Sequence, residues 1–418
     1  MNICWLYIEP FVHISINKDE ALLYNTLNGM HLKYSQKERP YKLIEQLNND
    51  VNLLVIELSE EYLKLSEVNN FIEKLRDTYI GDIIYSNAQK PIQIKPIFNI
   101  QKDIKTIIDS EKSFVGTKIM QELSDITIFI NDYCSLDCSN CQNMYKQIPH
   151  CSKNSDQKKE LDLRIIERIK NDLQTTINSI NISGGNILKY SDLIGLCDLF
   201  NLSKIIPTFY IYYKNIIAEP VNVLATLVQY DFRFNVLINS SINASEMSKI
   251  SDLLGVEKIT FTYILTDIAD MEIAPILLGN IDNYIILPFY DGKNLNFFQR
   301  NVFINEKEIL KGKLSMSEIY SRKVVNSFFY GKLQIMSNGN VYANINEDCI
   351  GNIEKQSLQE IAHKAMLEGL SWRKTRESVL PCKECLYKYL CPPISNYEYS
   401  IGRYNLCKTK NYVHKPID

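Results

Sequence analysis

The order of apolar and polar residues predicts a small separate module over residues 1–100. Short alternating runs indicate strands, and the Asn28-Gly29 dipeptide favours a tight type I′ turn between two of them. Apolar residues at helical spacing follow, and Ser66 is a candidate N-cap for the second helix. A proline-containing stretch, residues 88–102, is predicted to be a linker. The predicted elements are strands at 12–16, 21–25 and 30–32, a strand or helix at 51–58, and helices near 43–47 and 66–75.

Strands and helices alternate from about residue 124 to residue 294, which predicts βαβ units and a parallel sheet. Such a sheet is either open or curled into a partial barrel, and its functional residues collect where the strands end. The predicted strands are residues 126–130, 177–183, 205–213, 234–238, 259–265 and 284–287.

The pattern changes again in the C-terminal quarter of the chain. Two short strands, 333–336 and 341–343, flank a turn at Gly339, and a helix is predicted over residues 358–370. The remainder is rich in cysteine and aromatic residues and has little periodicity, so we expect it to need a metal to hold it together. These changes give three predicted domains, at residues 1–100, 120–300 and 325–418.

Composition narrows the class of protein. The chain has 418 residues, 45% hydrophobic and 23% charged, which is ordinary for a globular protein of two or three domains. Its net charge of −3 offers no bulk field for nucleic acid or an anionic membrane. We find neither a transmembrane run nor a signal peptide and expect a cytoplasmic protein. Eleven cysteines, an odd number, suit metal or redox chemistry better than a disulfide framework.

Three cysteines lie in one short loop directly after the first strand of the α/β region: Cys134, Cys138 and Cys141. Three thiolates from one loop can ligate three irons of a [4Fe–4S] cluster and leave the fourth iron open to a substrate or cosubstrate. One alternative is a zinc site, for which Cys151 would be a candidate fourth ligand, and the other is inert core thiols.

A second group of four cysteines lies in the aperiodic C-terminal segment. Four thiolates can hold either an iron–sulfur cluster or a structural zinc ion, and either would stabilise this segment. Its members are Cys382, Cys385, Cys391 and Cys407.

The Cys-x3-Cys-x2-Cys spacing at a strand end resembles the signature of the radical S-adenosylmethionine (SAM) superfamily. The resemblance implies a partial (β/α)6 TIM-like barrel and a cluster whose open iron chelates SAM and cleaves it to a 5′-deoxyadenosyl radical. It also implies that Gly184, Gly185 and Asn186, at the end of the second strand, contact the cosubstrate, together with Asn140 and Ser240. The superfamily has a glutamate at Asn186, an aromatic residue at Asn140 and an Asp-Gly pair near Ser240, so SAM contacts are reduced here.

The C-terminal cysteine spacing resembles the SPASM extension of radical SAM peptide-modifying enzymes, in which these four positions ligate an auxiliary [4Fe–4S] cluster. The ligand positions of a second auxiliary cluster hold Asn344 and Ser395, so one such cluster is expected. Residues 1–100 resemble the winged-helix-like element with which these maturases bind the leader of a ribosomal precursor peptide. The tail resembles a Bacteroidetes-type subgroup, some of whose members are pseudo-radical-SAM proteins.

Two main functions follow from this resemblance. The first is a peptide maturase that receives electrons from a reductant protein and closes a thioether or carbon–carbon crosslink in the precursor. The second is a non-catalytic partner that binds the leader or relays electrons for a separate maturase. A more remote hypothesis is a zinc-stabilised peptide-binding protein without iron.

Overall fold

The computed structural model describes residues 3–86, 89–94, 120–136, 138, 140–149, 152, 159–173, 177–201 and 205–409. The predicted linker, residues 88–102, lies outside the described residues except for 89–94. Across the described ranges, no helix is both long and apolar enough to cross a membrane.

Two three-stranded antiparallel sheets and three helices form the N-terminal region. In one sheet, β1 (Ile3–Ile8) lies between β5 (Val55–Leu58) and β6 (Gly81–Ser86). The hydrophobic pattern predicts neither β1 nor β6. The other sheet has the order β2 (Val12–Ile16), β3 (Glu20–Asn25), β4 (His31–Ser35). The helices are α1 (Arg39–Asn48), α2 (Glu60–Leu63) and α3 (Ser66–Asp77).

Two local predictions in this region are wrong. The connection between β3 and β4 is longer than a type I′ turn, because the side chain of Asn25 accepts a hydrogen bond from the Leu27 N–H and stabilises a wider loop. The backbone N–H of Asn25 donates across that loop to the Met30 carbonyl (2.8 Å). Ser66 is the first residue of α3 and not its N-cap; the cap is Leu65, which makes no side-chain bond.

Six parallel strands form the predicted α/β sheet, and each pairs with the next one along the chain. Connections long enough to contain a helix allow this parallel pairing. The prediction of six parallel strands is therefore confirmed. They are β7 (Asp125–Phe129), β8 (Ser179–Ser183), β9 (Thr208–Tyr212), β10 (Arg233–Ile238), β11 (Ile259–Leu265) and β12 (Tyr284–Pro288).

The predicted C-terminal hairpin is present and extends this sheet. Strand β13 (Lys332–Ile335) pairs with β7 in parallel, and β14 (Asn340–Tyr342) and β15 (Gly351–Asn352) continue outward in antiparallel. The sheet therefore runs from β12 at one edge to β15 at the other. Its curvature into a partial barrel, and the winged-helix and SPASM assignments of the flanking regions, stay predictions.

Helices connect the strands and form the C-terminal segment. They are α4 (Cys141–Met144), α5 (Leu163–Asp172), α6 (Leu193–Asn201), α7 (Tyr213–Ala218), α8 (Val221–Val228), α9 (Ala244–Leu254), α10 (Ile268–Leu278), α11 (Leu295–Phe297), α12 (Glu306–Lys311), α13 (Met316–Val324), α14 (Leu358–Glu368) and α15 (Asn396–Ile401).

The apolar core is divided unevenly. One large cluster extends from Met120 to Leu406, so the α/β sheet and the C-terminal hairpin share it. A second cluster lies within the N-terminal region, between Cys4 and Ile80. A third and smaller cluster joins β3 to the C-terminal cysteine segment. The N-terminal region thus has its own core and shares the third cluster with the C-terminal segment.

Candidate functional site

A cavity of about 350 Å³ opens where three neighbouring parallel strands end. Strands β9, β10 and β11 contribute residues at their carboxyl ends and in the segments that follow, and α4 contributes another wall. This carboxyl edge is where parallel α/β sheets bind their ligands. The cavity is lined by Cys138, Asn140, Cys141, Met144, Tyr212, Lys214, Leu237, Asn239, Ser240, Ile264, Thr266 and Asp270.

Four residues that the resemblance singles out meet at this cavity: Cys138, Asn140, Cys141 and Ser240. Asn140 is the N-cap of α4, and its carbonyl accepts a hydrogen bond from the Met144 N–H (3.0 Å). The Cys138 carbonyl accepts one from the Cys141 N–H (3.2 Å). These bonds fix the turn that brings two of the three cysteines to the cavity wall. Their ligand roles, and the cosubstrate contacts of Asn140 and Ser240, stay predictions.

The remaining cysteine of this loop, Cys134, contacts helix α7. Its Sγ lies 3.8 Å from Oδ1 of Asn215 in α7. Among the described residues, no three His, Cys, Asp or Glu side chains are grouped as metal ligands, and Cys151 lies outside those residues. Three thiols in one loop are nevertheless the donor set that a cluster with an open iron requires.

Gly184 and Gly185 pack directly against the loop that follows β7. The Gly185 N–H donates to both the carbonyl and Oδ1 of Asn131 (3.0 Å each). A Cβ at Gly184 would lie 2.6 Å from Asn131 Oδ1, and one at Gly185 would clash with the Tyr133 carbonyl. The glycines therefore allow two strand ends to touch, which is a role that the paired-glycine motif alone does not reveal.

Asn186 is 1% exposed, and both ends of its amide bind protein groups. Oδ1 accepts a hydrogen bond from the Leu188 N–H (3.1 Å), and Nδ2 donates to Glu219 (3.0 Å). The other Glu219 oxygen pairs with Lys189 Nζ at 2.7 Å, and this contact raises the pKa of Lys189. Asn186 thus has structural partners at the position where the resembled superfamily has a glutamate.

The cavity also contains polar residues that motif reasoning misses. Lys214 is exposed, whereas Asp270 is buried and accepts hydrogen bonds from both the N–H and the hydroxyl of Thr266. Asn239 donates to the Tyr212 hydroxyl (3.3 Å). Each of these residues ends a strand or follows within a few residues of its end. Their position just after the predicted strand ends is the sequence signal that points to them.

The four C-terminal cysteines lie close enough to influence one another electrostatically. Burial is the main cause that raises the pKa values of Cys382, to about 11, and of Cys391. The nearby Arg376 guanidinium opposes this shift, and Cys385 and Cys407 add to it. Cys382 and Cys391 are buried and Cys385 and Cys407 partly exposed, and these described side chains are not grouped as metal ligands. Four interacting thiols are nevertheless a donor set that a metal centre can use, because coordination deprotonates them.

Arg376 ties together the backbone around these cysteines. All five of its N–H groups have acceptors: the two carboxylate oxygens of Glu398 (2.6 and 3.1 Å) and the carbonyls of Pro392, Pro393 and Tyr404. Burial lowers the pKa of Arg376, but the adjacent Glu398 carboxylate more than offsets that effect. The guanidinium thereby fixes the loop between the third and fourth cysteines.

The β2–β3–β4 sheet packs against this cysteine segment. The Tyr24 hydroxyl donates to the Gly312 carbonyl (2.7 Å). Lys33 Nζ lies 2.5 Å from the Glu306 carboxylate and donates to the Tyr387 hydroxyl (3.1 Å). The shared apolar cluster contains Leu22, Tyr24, Ile309, Leu314, Ile319, Leu386, Tyr387, Leu390 and Cys391. The N-terminal region is therefore anchored on the second group of cysteines.

Comparisons with known proteins give a fold. No protein-family model matches this chain, and no curated protein matches it. SuiB of Streptococcus suis bound to S-adenosylmethionine is similar at a TM-score of 0.50 and 15% identity, over 98% of this chain and 100% of that chain. SuiB bound to the precursor peptide SuiA has a TM-score of 0.47 at 15% identity and the same coverage. The first likeness shows that this chain shares the α/β fold of SuiB, including the large parallel sheet.

Proposed function

We propose that this chain is a radical SAM peptide maturase. In this proposal Cys134, Cys138 and Cys141 hold a [4Fe–4S] cluster, and SAM binds in the cavity beside them. The 5′-deoxyadenosyl radical formed from SAM then modifies the core of a ribosomal precursor peptide, in which a thioether or carbon–carbon crosslink closes. The observation that carries the proposal is that Cys138 and Cys141 line a cavity at the carboxyl edge of a parallel sheet. The fold shared with SuiB, a SAM-binding protein, supports it.

The residues around the cavity suit such a cosubstrate. When bound, the cluster supplies the electron for reductive SAM cleavage, which a reductant protein delivers in the reducing cytoplasm. Leu237, Ile264 and Met144 offer apolar surface that excludes water from a reactive intermediate. Asn140 and Ser240 offer polar groups for a nucleoside.

The second group of cysteines is proposed to hold one auxiliary [4Fe–4S] cluster. The burial of Cys382 and Cys391, the electrostatic interaction among the four thiols and the Arg376 contacts support this proposal. Zinc would use the same four thiolates, so metal analysis after anaerobic purification separates the two. Iron and sulfide in excess of one cluster per chain supports the proposal, and stoichiometric zinc contradicts it.

We propose that the N-terminal region binds the leader of the precursor. Within the described residues, β2 and β4 are the two outer strands of their sheet, an arrangement that allows a peptide to add as a further strand. Fluorescence anisotropy with a labelled peptide encoded beside this gene tests the proposal. A leader peptide that binds no better than its scrambled sequence would contradict it.

A non-catalytic partner protein is the second candidate. It is favoured by Asn186, whose amide is bonded to Leu188 and Glu219 and carries no charge for the methionyl ammonium of SAM. In this case the protein binds the leader or relays electrons for a separate maturase.

Release of 5′-deoxyadenosine distinguishes the two. Anaerobically reconstituted protein is incubated with SAM and dithionite, beside a Cys134/Cys138/Cys141 triple-alanine variant. Cys349→Ala is the matched control, because Cys349 is exposed and belongs to neither proposed cluster. Product that requires the triad but not Cys349 supports the maturase. No product from protein with its full iron content supports the non-catalytic partner.

A further inference from the structure

Asp270 is a buried carboxylate on the wall of the cavity. It is 6% exposed and lies in the first turn of α10, just after β11. No lysine, arginine or histidine in the described part of the chain forms an ion pair with it. Lys214 also lines the cavity, but it is exposed and makes no ion pair with Asp270.

Hydrogen bonds from the protein account for only one of the two carboxylate oxygens of Asp270. The Thr266 N–H (2.7 Å) and hydroxyl (2.6 Å) both donate to Oδ2. The N-cap of α10 is Asp267, which accepts the Asp270 N–H. Oδ1 of Asp270 accepts no hydrogen bond from the described residues, and it is not among the side-chain oxygens sealed from solvent. That oxygen is therefore available to a ligand in the cavity.

A buried carboxylate that lacks a counter-ion favours a cationic ligand, even where two donors and a helix N-terminus partly stabilise it. Enclosing a carboxylate without a counter-ion is costly, and a cationic ligand offsets that cost. SAM carries two positive groups, its ammonium and its sulfonium. The turn that supplies a glutamate for the ammonium in the resembled superfamily has the neutral Asn186 here.

We propose that Asp270 supplies the negative charge that binds the cationic part of SAM, and that Thr266 positions its carboxylate. This inference rests on the proposed SAM site. It assigns to β11 and α10 a specificity role that the turn after β8 has lost in this chain.

The test compares SAM with 5′-methylthioadenosine, which has the same nucleoside but neither positive group. Binding of each to anaerobically reconstituted protein is measured by calorimetry for the wild type, Asp270→Asn and Asp270→Glu. Glu246→Gln is the matched control, because Glu246 has the same position in the first turn of α9 but does not line the cavity. Differential scanning fluorimetry checks that every variant is folded.

Asp270→Asn is expected to weaken SAM binding roughly 10- to 100-fold, as for loss of a charge-assisted hydrogen bond, and methylthioadenosine binding less than about twofold. Asp270→Glu, which keeps the charge, is expected to restore part of the loss, and Glu246→Gln to change neither affinity. Equal losses for the two ligands, or no loss, overturn the inference while wild-type SAM binding stands. If Asp270→Asn does not fold, Asp270→Ala is measured with the same expectation. A wild type that binds neither ligand overturns the proposed function as well.

Discussion

The two cysteine segments of this chain, residues 134–141 and 382–407, place the same type of side chain in different surroundings. In the first, Cys141 is buried, Cys134 and Cys138 are partly exposed, and the loop borders an open cavity. In the second, Cys382 and Cys391 are buried and Cys385 and Cys407 partly exposed, and Arg376 fixes the backbone between the third and fourth cysteines. A site that exchanges a ligand has to keep a position open, whereas a structural metal site is closed by protein.

The segments also differ in what depends on them. Leu136 and Cys138 of the cavity-side loop pack against the large core, most of which lies around the parallel sheet. The tail segment has little regular structure and supports the β2–β3–β4 sheet through a shared apolar cluster. We therefore expect the first segment to govern chemistry and the second to govern stability. Substitutions in the two segments and at their contacts test that division, beginning with the largest effect.

Removing cysteines should affect stability very unequally in the two segments. A Cys382→Ala/Cys391→Ala variant is expected to lose the proposed metal and about 5 kcal/mol or more of unfolding free energy, because binding of that metal would organise this segment. The Cys134/Cys138/Cys141 triple-alanine variant should lose less, about 1 kcal/mol, because Cys134 and Cys138 are partly exposed and the large core does not depend on this loop. Urea denaturation of anaerobic protein measures both. Equal losses would show that the division between chemistry and stability is wrong.

Arg376 should be the most important side chain of the tail other than the cysteines. Arg376→Leu leaves Glu398 as a buried charge without its partner, so we expect a loss of about 3–5 kcal/mol in unfolding free energy. Arg376→Leu combined with Glu398→Leu should recover part of that loss, since no lone charge remains. The exposed pair Lys364–Glu368 is the control, and Lys364→Ala should cost about 0.5 kcal/mol or less. A loss from Arg376→Leu no larger than that of this control contradicts the prediction.

Local patterns predict the elements well here and the contacts between distant segments poorly. The run at 259–265 is predicted as a strand at its observed bounds, because apolar β-branched and aromatic residues favour a buried strand. Nothing near Lys332 indicates that β13 joins β7, which is about two hundred residues away in the sequence. Strand pairing over such distances depends on the whole fold rather than on local propensity.

In the candidate site, too, features set by local sequence are predictable and contacts between distant segments are not. Cys138 and Cys141 are recognisable from spacing, and the structure brings them to the cavity. Asp270 belongs to no motif, and only the order of strands in the sheet brings it opposite the cysteine loop. Gly184 and Gly185 have a motif, yet their tight contact is with another loop of the protein. Motif spacing therefore predicts candidate ligands better than it predicts the groups around them.

The contact between the N-terminal sheet and the tail should depend on the Tyr24 hydroxyl. It donates to the Gly312 carbonyl (2.7 Å) and accepts from the Leu314 N–H (2.9 Å), so Tyr24→Phe leaves both groups without this partner. We expect a loss of about 2 kcal/mol in unfolding free energy. Tyr34→Phe, on the neighbouring strand, is the matched control, because the buried Tyr34 hydroxyl has no partner among the described residues. Its removal should be neutral or slightly stabilising. A Tyr24→Phe variant as stable as Tyr34→Phe would contradict the anchoring role.

His13 should make the same contact sensitive to acid, with the smallest effect of the four. Its ring packs edge-on against Tyr389 at 5.8 Å, and burial, with Lys323 and Lys388 nearby, lowers the pKa of His13 from 6.5 to about 4. The unfolded chain therefore takes up a proton between pH 6.5 and 4 that the folded chain does not, so the stabilisation is complete above pH 6.5 and is lost as the pH falls towards 4.

Because His13 keeps part of its surface in solvent, we expect a loss of about 1 kcal/mol between pH 7 and pH 4.5. His13→Phe keeps an aromatic ring against Tyr389 but cannot be protonated, so that variant should lack this part of the pH dependence. Unfolding free energies of both proteins at the two pH values give the difference, since carboxylates elsewhere titrate alike in both. Identical pH dependence would mean that water reaches His13 freely at the interface between the N-terminal sheet and the tail. The second cysteine segment would then not be closed by protein, and the contrast with the cavity-side loop would fail.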